Sequence, residues 1–438
     1  MHLGRVPAIL VFALPAFAQY AGPAILSRGD VPTGMAGSQI SFRPFIELAG
    51  VYYTGLAGVA VNQGGEIGNT AAYGIEFSGG VSGAHTWKHT SIGLDYKGSV
   101  RHYTKSTYFD AADQSLLLGI KHQFTRHVSL SLRETGGQFS QAYGLVGLIP
   151  TVPFDVSSSN VPTTDFFDNR TIYLSSGADL VYQKSARLSF DFGGDGFLNR
   201  RRSSALYGVT GAMARADVQY RMSRRTTMGV AYFYSHYHFT GIFSGTDQHG
   251  VMGVFSTQLS RYLEFSAYGG LMRVETKFVQ NVPVSPVVTA LLGITQGTAV
   301  VYNIGWEPNF NARLARAFQH GVVYLSGGHT VTPGNGLFLT STTSLVSAGY
   351  NYTGLRRWSM GLNATYNWSN SIANVTGRYR NVTGSLTVAR QITRGLHFIA
   401  SLDANQYGSG DFAKYNRLVY NARIGLGFAP GDVPLRIW

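Results

Sequence analysis

The chain has 438 residues, a formal charge of +13, no cysteine and only 13% charged side chains. That length fits two or three soluble domains or one large barrel, and the charged fraction lies well below the ~25% of a soluble domain. The lack of cysteine excludes disulfide staples, thiolate catalysis and cysteine-ligated metal centres.

Residues 1–18 read as a secretory signal. Arg5 gives a positive n-region, Val6 to Pro15 an apolar stretch, and Ala16-Phe17-Ala18 a small-x-small cleavage site before Gln19. Residues 19–39 read as a short periplasmic lead-in. No later segment can cross a bilayer as a helix, since the longest apolar run, Val287 to Ile294, is less than half of the ~20 residues required. A secreted, membrane-resident chain then has one alternative. In hydrocarbon every backbone N–H and C=O must be paired internally, which leaves a closed barrel.

Period-two alternation runs from Ile40 to Phe428. Ile92, Leu94, Tyr96 and Val100 alternate with Ser91, Asp95, Lys97, Ser99 and Arg101; Val128, Leu130 and Leu132 with Ser129, Ser131 and Arg133; Trp358, Met360, Leu362 and Tyr366 with Ser359, Asn363, Thr365 and Asn367. Successive side chains of a strand point to opposite faces, so each segment carries one apolar and one polar face. The runs last roughly 10 to 16 residues, enough to cross a bilayer at a tilt, whereas globular strands average ~5–6. The expected fold is an all-β, antiparallel, up-and-down transmembrane barrel of about eighteen strands (16–20) over 40–428, with a tail over 429–438. In order the strands are 40–53, 72–84, 91–104, 112–124, 128–140, 170–183, 187–197, 205–222, 226–240, 247–260, 263–276, 297–316, 319–331, 337–353, 358–369, 374–390, 396–407 and 414–428.

A repeated turn precedes many of these strands: Thr125-Arg126-His127, Lys184-Ser185-Ala186, Ser223-Arg224-Arg225, Ser260-Arg261-Tyr262, Leu355-Arg356-Arg357 and Thr393-Arg394-Gly395. Longer connections at 141–169, 197–205, 241–247, 277–296, 332–336 and 408–412 alternate with these turns. Short periplasmic turns and longer outside loops are the pattern of an outer-membrane barrel. With signal peptide, alternating strands, Ser/Thr-Arg turns and an aromatic end at Phe428 or Trp438, the chain resembles bacterial porin-like outer-membrane proteins. The resemblance covers nearly the whole mature chain and rests on architecture. It implies a Gram-negative outer-membrane location, insertion by the barrel assembly machinery, contact with outer-membrane lipid and lipopolysaccharide, and a homo-oligomer as one assembly state.

The apolar series should face lipid, because a basic side chain at mid-bilayer costs about 2–4 kcal/mol on a barrel's outer wall. The polar series then faces inward. Its ten basic residues are Arg43, Lys97, Arg101, Lys121, Arg133, Arg187, Arg215, Arg221, Arg313 and Arg423; its nine acids are Glu47, Glu76, Asp95, Asp179, Asp191, Asp195, Asp217, Glu307 and Asp403. The interior is therefore near neutral. Much of the +13 charge sits in turns and loops, as in Arg200-Arg201-Arg202, Arg224-Arg225 and Arg356-Arg357. Lys97, Arg101, Arg133, Arg215, Asp217, Arg221, Glu307, Arg313, Asp403 and Arg423 are the candidate pore-lining residues. The resemblance also makes 141–169, with Asp155, Asp165 and Asp168, the candidate constriction loop, since in trimeric porins the third loop folds inward. An outward surface loop fits the same residues.

The leading functional reading is passive diffusion of small hydrophilic solutes, with no cofactor or metal. An export channel for a secreted polysaccharide and a non-transporting receptor, adhesin or structural barrel are the alternatives. Basic residues dispersed by strand argue against nucleic acid. Tyr232, Phe233, Tyr234, Tyr237, Phe239, Tyr350 and Tyr352 fit interfacial girdles better than a sugar slide. His236 and His238 show no third metal ligand, and Ser235 with His236 or Ser326 with His329 no third catalytic member, so no enzyme is read here. Gly193-Gly194-Asp195-Gly196 lacks the context of a phosphate or calcium loop and reads as a bend or bulge.

Overall fold

The computed structural model describes residues 43–55, 71–104, 110–139, 170–204, 206–293, 295–334, 336, 339–352, 357–372, 377–393, 395–409 and 416–429. The expected signal peptide, the lead-in, the 141–169 loop and nearly all of the tail lie outside these residues.

Alternation along the sequence becomes a sheet of eighteen strands. They are β1 Arg43–Tyr53, β2 Ala72–Thr86, β3 Thr90–Tyr103, β4 Ala111–Gln123, β5 Val128–Phe139, β6 Thr171–Gln183, β7 Leu188–Arg201, β8 Gly208–Arg221 and β9 Thr226–Thr240. There follow β10 Ser244–Gln258, β11 Leu263–Pro283, β12 Gln296–Phe318, β13 Gly321–Thr332, β14 Ser341–Tyr352, β15 Trp358–Ser371, β16 Arg378–Thr393, β17 Leu396–Ser409 and β18 Arg417–Phe428. Each strand pairs antiparallel with its sequence neighbours. The ring closes where β1 meets β18, from Ile46 opposite Phe428 to Tyr53 opposite Asn421. Closure removes the sheet edges, which is the condition for satisfying the backbone in lipid.

The exterior is apolar. Ile46, Leu48, Ile75, Phe77, Val100, Ile172, Phe192, Val230, Leu271, Leu362 and Ile424 all stand exposed on the outward face. Their neighbours in sequence turn inward, among them Glu47, Glu76, Ser78, Asp179, Asp191 and Asn367, all buried. An acid also occurs on the outer face: Glu134 accepts a hydrogen bond from Ser176 Oγ at 2.6 Å, a local partner for a group the lipid would not solvate. Such an exterior suits a membrane-spanning barrel.

The recurring Ser/Thr turns have a local cause. Thr125 Oγ1 accepts from the backbone N–H of His127 and Val128 (3.1 and 3.0 Å). Ser185 Oγ accepts from Arg187 and Leu188 (3.2 and 3.0 Å), and Ser223 Oγ from Arg225 and Thr226 (3.1 and 3.0 Å). The hydroxyl satisfies donors that the reversing chain would otherwise leave unpaired. Gly395, at φ +87°, performs the β16–β17 reversal in a backbone region that favours glycine.

Several boundaries differ from those expected. β7 runs through Arg201, so Arg200 and Arg201 belong to a strand and not a loop. Arg187 lies in the turn before β7 and not on the inward face. Within 277–296, residues 277–283 and 296 are strand: β11 and β12 pair continuously from Leu263–Arg316 to Pro283–Gln296, and the connection between them carries a short helix, α1 (Pro286–Leu292). This long hairpin outruns its other neighbour. β12 pairs with β13 only from Phe310–His329 downward, so residues 296–309 share hydrogen-bonded register with β11 alone.

Candidate functional site

The inward face divides into three sectors. The first carries the charges. On β5–β8, Arg215 donates to Asp179 at 2.8 Å and to Asp191 at 3.1 Å, and lies 3.5 Å from Asp217. Its side chain is fully buried. Beside it Arg133 holds Asp195 at 2.7 Å, and Gln219 Nε2 donates to Asp217 at 2.8 Å. Gly177 and Gly193 make these crossings possible. A Cβ at Gly193 would collide with Asp179 Oδ1 and stand 3.2 Å from the Arg215 guanidinium. A Cβ at Gly177 would collide with Asp195 Oδ1 and stand 3.1 Å from Arg133. The expected bend at Gly193 is absent; β6, β7 and β8 keep regular register through it, and the glycine serves close approach instead.

A second charged group joins the two ends of the barrel. Glu47 of β1 is bonded by Arg423 of β18, lies 3.3 Å from Lys97 of β3, and accepts from Ser78 at 2.7 Å. Arg101 donates to Glu76 at 2.6 Å and lies 3.5 Å from Asp113, and Arg423 Nε is 3.0 Å from Glu76. These ion pairs tie the closing seam on its inner side.

The second sector is apolar, against expectation. Met213, Phe233, Tyr237, Phe239, Met252, Val254, Tyr268, Met272, Val274 and Phe278 on β8–β11 are inward and buried, packed with Val331 and Leu339. Val331 lies near the end of β13 and Leu339 just before β14, and both pack against this inward cluster. Thr340 Oγ1 lies 2.6 Å from Thr246 Oγ1 on β10, and the Tyr207 N–H donates to the Gly336 carbonyl at 3.0 Å. Gln248 Nε2 donates to Tyr237 Oη at 3.0 Å beneath it. Gly334 and Gly336 sit at φ +72° and +87°, which lets this connection turn sharply. The described residues Gly336, Leu339 and Thr340 of this connection thus lie against the inward side. The expected constriction loop with Asp155, Asp165 and Asp168 lies outside the described residues.

The third sector, β12–β18, is mostly hydroxyl and amide, with Glu307, Arg313, Asp403 and Arg423 among them. Arg313 stacks over the Tyr324 ring at 5.6 Å, and Tyr324 Oη donates to Asn363 Oδ1 at 3.2 Å. Ser326 and Ser347 hydroxyls meet at 2.6 Å. Register places Asn363 opposite Ser385, Ser385 opposite Asp403, and Asp403 opposite Asn421.

Of the candidate pore-lining residues, Lys97, Arg101 and Arg423 therefore gather in the seam cluster, and Arg133, Arg215 and Asp217 in the β5–β8 cluster. Arg221 lies at the other end of its strand, bonding the Ser223 and Arg224 carbonyls at 3.2 Å each. Glu307, Arg313 and Asp403 stand apart on the third sector. The aromatic expectation divides: Tyr232, Tyr234 and Tyr350 face outward, whereas Phe233, Tyr237 and Phe239 belong to the inward apolar cluster. A near-continuous aromatic run over 231–239 is the sequence signal that both faces of β9 are apolar. His236 Nδ1 lies 2.7 Å from Asp247, and among the described residues no cluster of three or more potential ligands could hold a metal. Ser235 and His236 point to opposite faces, as do Ser326 and His329, so neither pair converges on one atom.

No protein-family model and no curated protein sequence matches this chain. Solved structures similar to it include Pseudomonas aeruginosa OpdQ, at 13% identity and TM-score 0.41 over 90% of this chain and 98% of that one. Acinetobacter baumannii OccAB1 stands at 12% and 0.41 over 91% and 100%, and Pseudomonas aeruginosa OprD at 9% and 0.39 over 89% and 95%. Likeness at this level carries no argument about what passes through or binds to the barrel.

Proposed function

We propose that this chain is a bacterial outer-membrane pore for passive diffusion of small hydrophilic solutes, and not an enzyme. The observation that carries the reading is the closed eighteen-stranded ring, apolar outside and polar over most of its interior. A barrel of that strand number is wide enough to leave an aqueous channel past the elements folded into it. Mixed amides, hydroxyls and paired charges replace part of a solute's hydration, and the narrowest ring sets size and charge preference.

The same reading includes export across the inner membrane by residues 1–18, contact of the exterior with lipid and lipopolysaccharide, insertion by the barrel assembly machinery, and either a monomer or a homo-oligomer. Refolded protein in planar bilayers is expected to give discrete ohmic conductance steps. A correctly folded barrel that carries no ion current refutes the proposal.

A further inference from the structure

The four consecutive strands β13 to β16 present no charged side chain on their inward face among the described residues. Register fixes which face is which. Ser326 pairs with Ser347, Ser347 with Thr365, and Thr365 with Thr383. The basic residues of β16 lie on the other parity: Arg390 pairs with Trp358 and stacks over its ring at 5.0 Å, while the outward Val382 and Leu386 are exposed. Inward Asn363, Thr365, Thr383 and Ser385 are partly exposed, so they stand where a solute can reach them.

Most inward charges elsewhere are already engaged, while Glu307 and Arg313 on β12 and Asp403 on β17 flank the wall. Arg133, Asp179, Asp191, Asp195, Arg215 and Asp217 are buried in contact with one another, as described above. A passing ion finds most of its candidate partners taken. It meets instead a wall of hydroxyls and amides, which exchange hydrogen bonds with a neutral hydroxyl as water does but offset little of an ion's lost hydration.

From this juxtaposition we infer that the pore's preferred solutes are neutral and polyhydroxylated, sugars or polyols of monosaccharide size, and that it disfavours anions and cations alike. This rests on the pore reading above and names its substrate class. The recognition surface is the β13–β16 wall, with Asn363, Thr365, Thr383 and Ser385 as its accessible groups.

The test uses the full refolded chain in proteoliposomes and three solutes of nearly equal size: glucose, gluconate and glucosamine. Glucose is expected to enter at least about fivefold faster than either ion, the discrimination that one unsatisfied charge interaction produces in a wet pore. In a salt gradient the reversal potential should stay near zero. A double variant, N363D/T383D, adds two acids to the wall. It is expected to move the reversal potential to the cation-selective side and to slow gluconate further, by about fivefold per added charge. Gluconate or glucosamine entering as fast as glucose overturns the inference and leaves the pore intact, as does a variant with unchanged reversal potential. No entry of any solute and no current overturns the pore itself, and the inference with it.

Discussion

Arg215 offers the sharpest perturbation. Its guanidinium is fully buried, bonded to Asp179 and Asp191 at 2.8 and 3.1 Å and 3.5 Å from Asp217. Replacing it with methionine keeps much of the volume and removes the cation, leaving three carboxylates without their central partner. Breaking a buried ion pair by removing one member costs about 3–5 kcal/mol, whereas exposed pairs are worth about 0–1 kcal/mol. Two effects act against the larger figure: water entering from the interior, and protonation of one carboxylate. The full loss corresponds to about two to three and a half orders of magnitude in the folded-to-unfolded ratio, at about 1.4 kcal/mol per tenfold. Urea titration in lipid vesicles, read by heat-modifiable gel mobility, measures it. A loss of at least about 2 kcal/mol is expected for R215M. Partial recovery is expected when Asp179→Asn and Asp191→Asn are added, since the three side chains form one network and their effects will not sum. A loss below about 1 kcal/mol would place the cluster in water and refute the reasoning.

Three further outcomes follow from the same geometry. Gly193→Ala should destabilise the barrel by about 1–3 kcal/mol, because its methyl group must displace Asp179 or Arg215; the same urea titration reads it, and an unchanged midpoint would mean the strands can part there freely. Shortening the β13–β14 connection between Val331 and Thr340 should raise single-channel conductance, and equal conductance would show that residues 333–340 do not narrow the path. Ser185→Ala removes the acceptor for two backbone N–H groups and should cost about 0.5–2 kcal/mol by analogy with helix caps, measured as a lower unfolding midpoint.

The barrel was legible in the sequence because its physical requirement is periodic. A strand facing lipid on one side and water on the other must alternate, and Ser-Arg or Thr-Arg reversals mark where each pair ends. Strand ends were harder. Residues 277–283 and Gln296 read as loop by composition, yet Val279 opposite Val300 and Pro283 opposite Gln296 continue the ladder, because a paired neighbour can hold a strand that propensity alone would not. The inward charges were legible as a set but not as pairs. Arg215 reaches Asp179 across the glycine at position 193 on the intervening strand, an arrangement that depends on register and on the missing side chain. The apolar sector was misread for a related reason: on β9 both series are greasy, so the rule that apolar means lipid has nothing to choose between. The placement of Gly336 and Thr340 has no local signature beyond the glycines, since what holds these two residues is Tyr207 and Thr246 far along the chain.

The parting of β12 from β13 above Phe310 has a mechanical consequence. Below that level the ring is a continuous hoop, in which no strand can open without breaking hydrogen bonds on both flanks. Above it, residues 296–309 are braced from one flank. Thermal opening should start at this notch and travel downward, so amide hydrogens of 297–308 should exchange with deuterium sooner than those of 311–317 on the same strand. The rim would then yield while the hoop beneath it keeps its form.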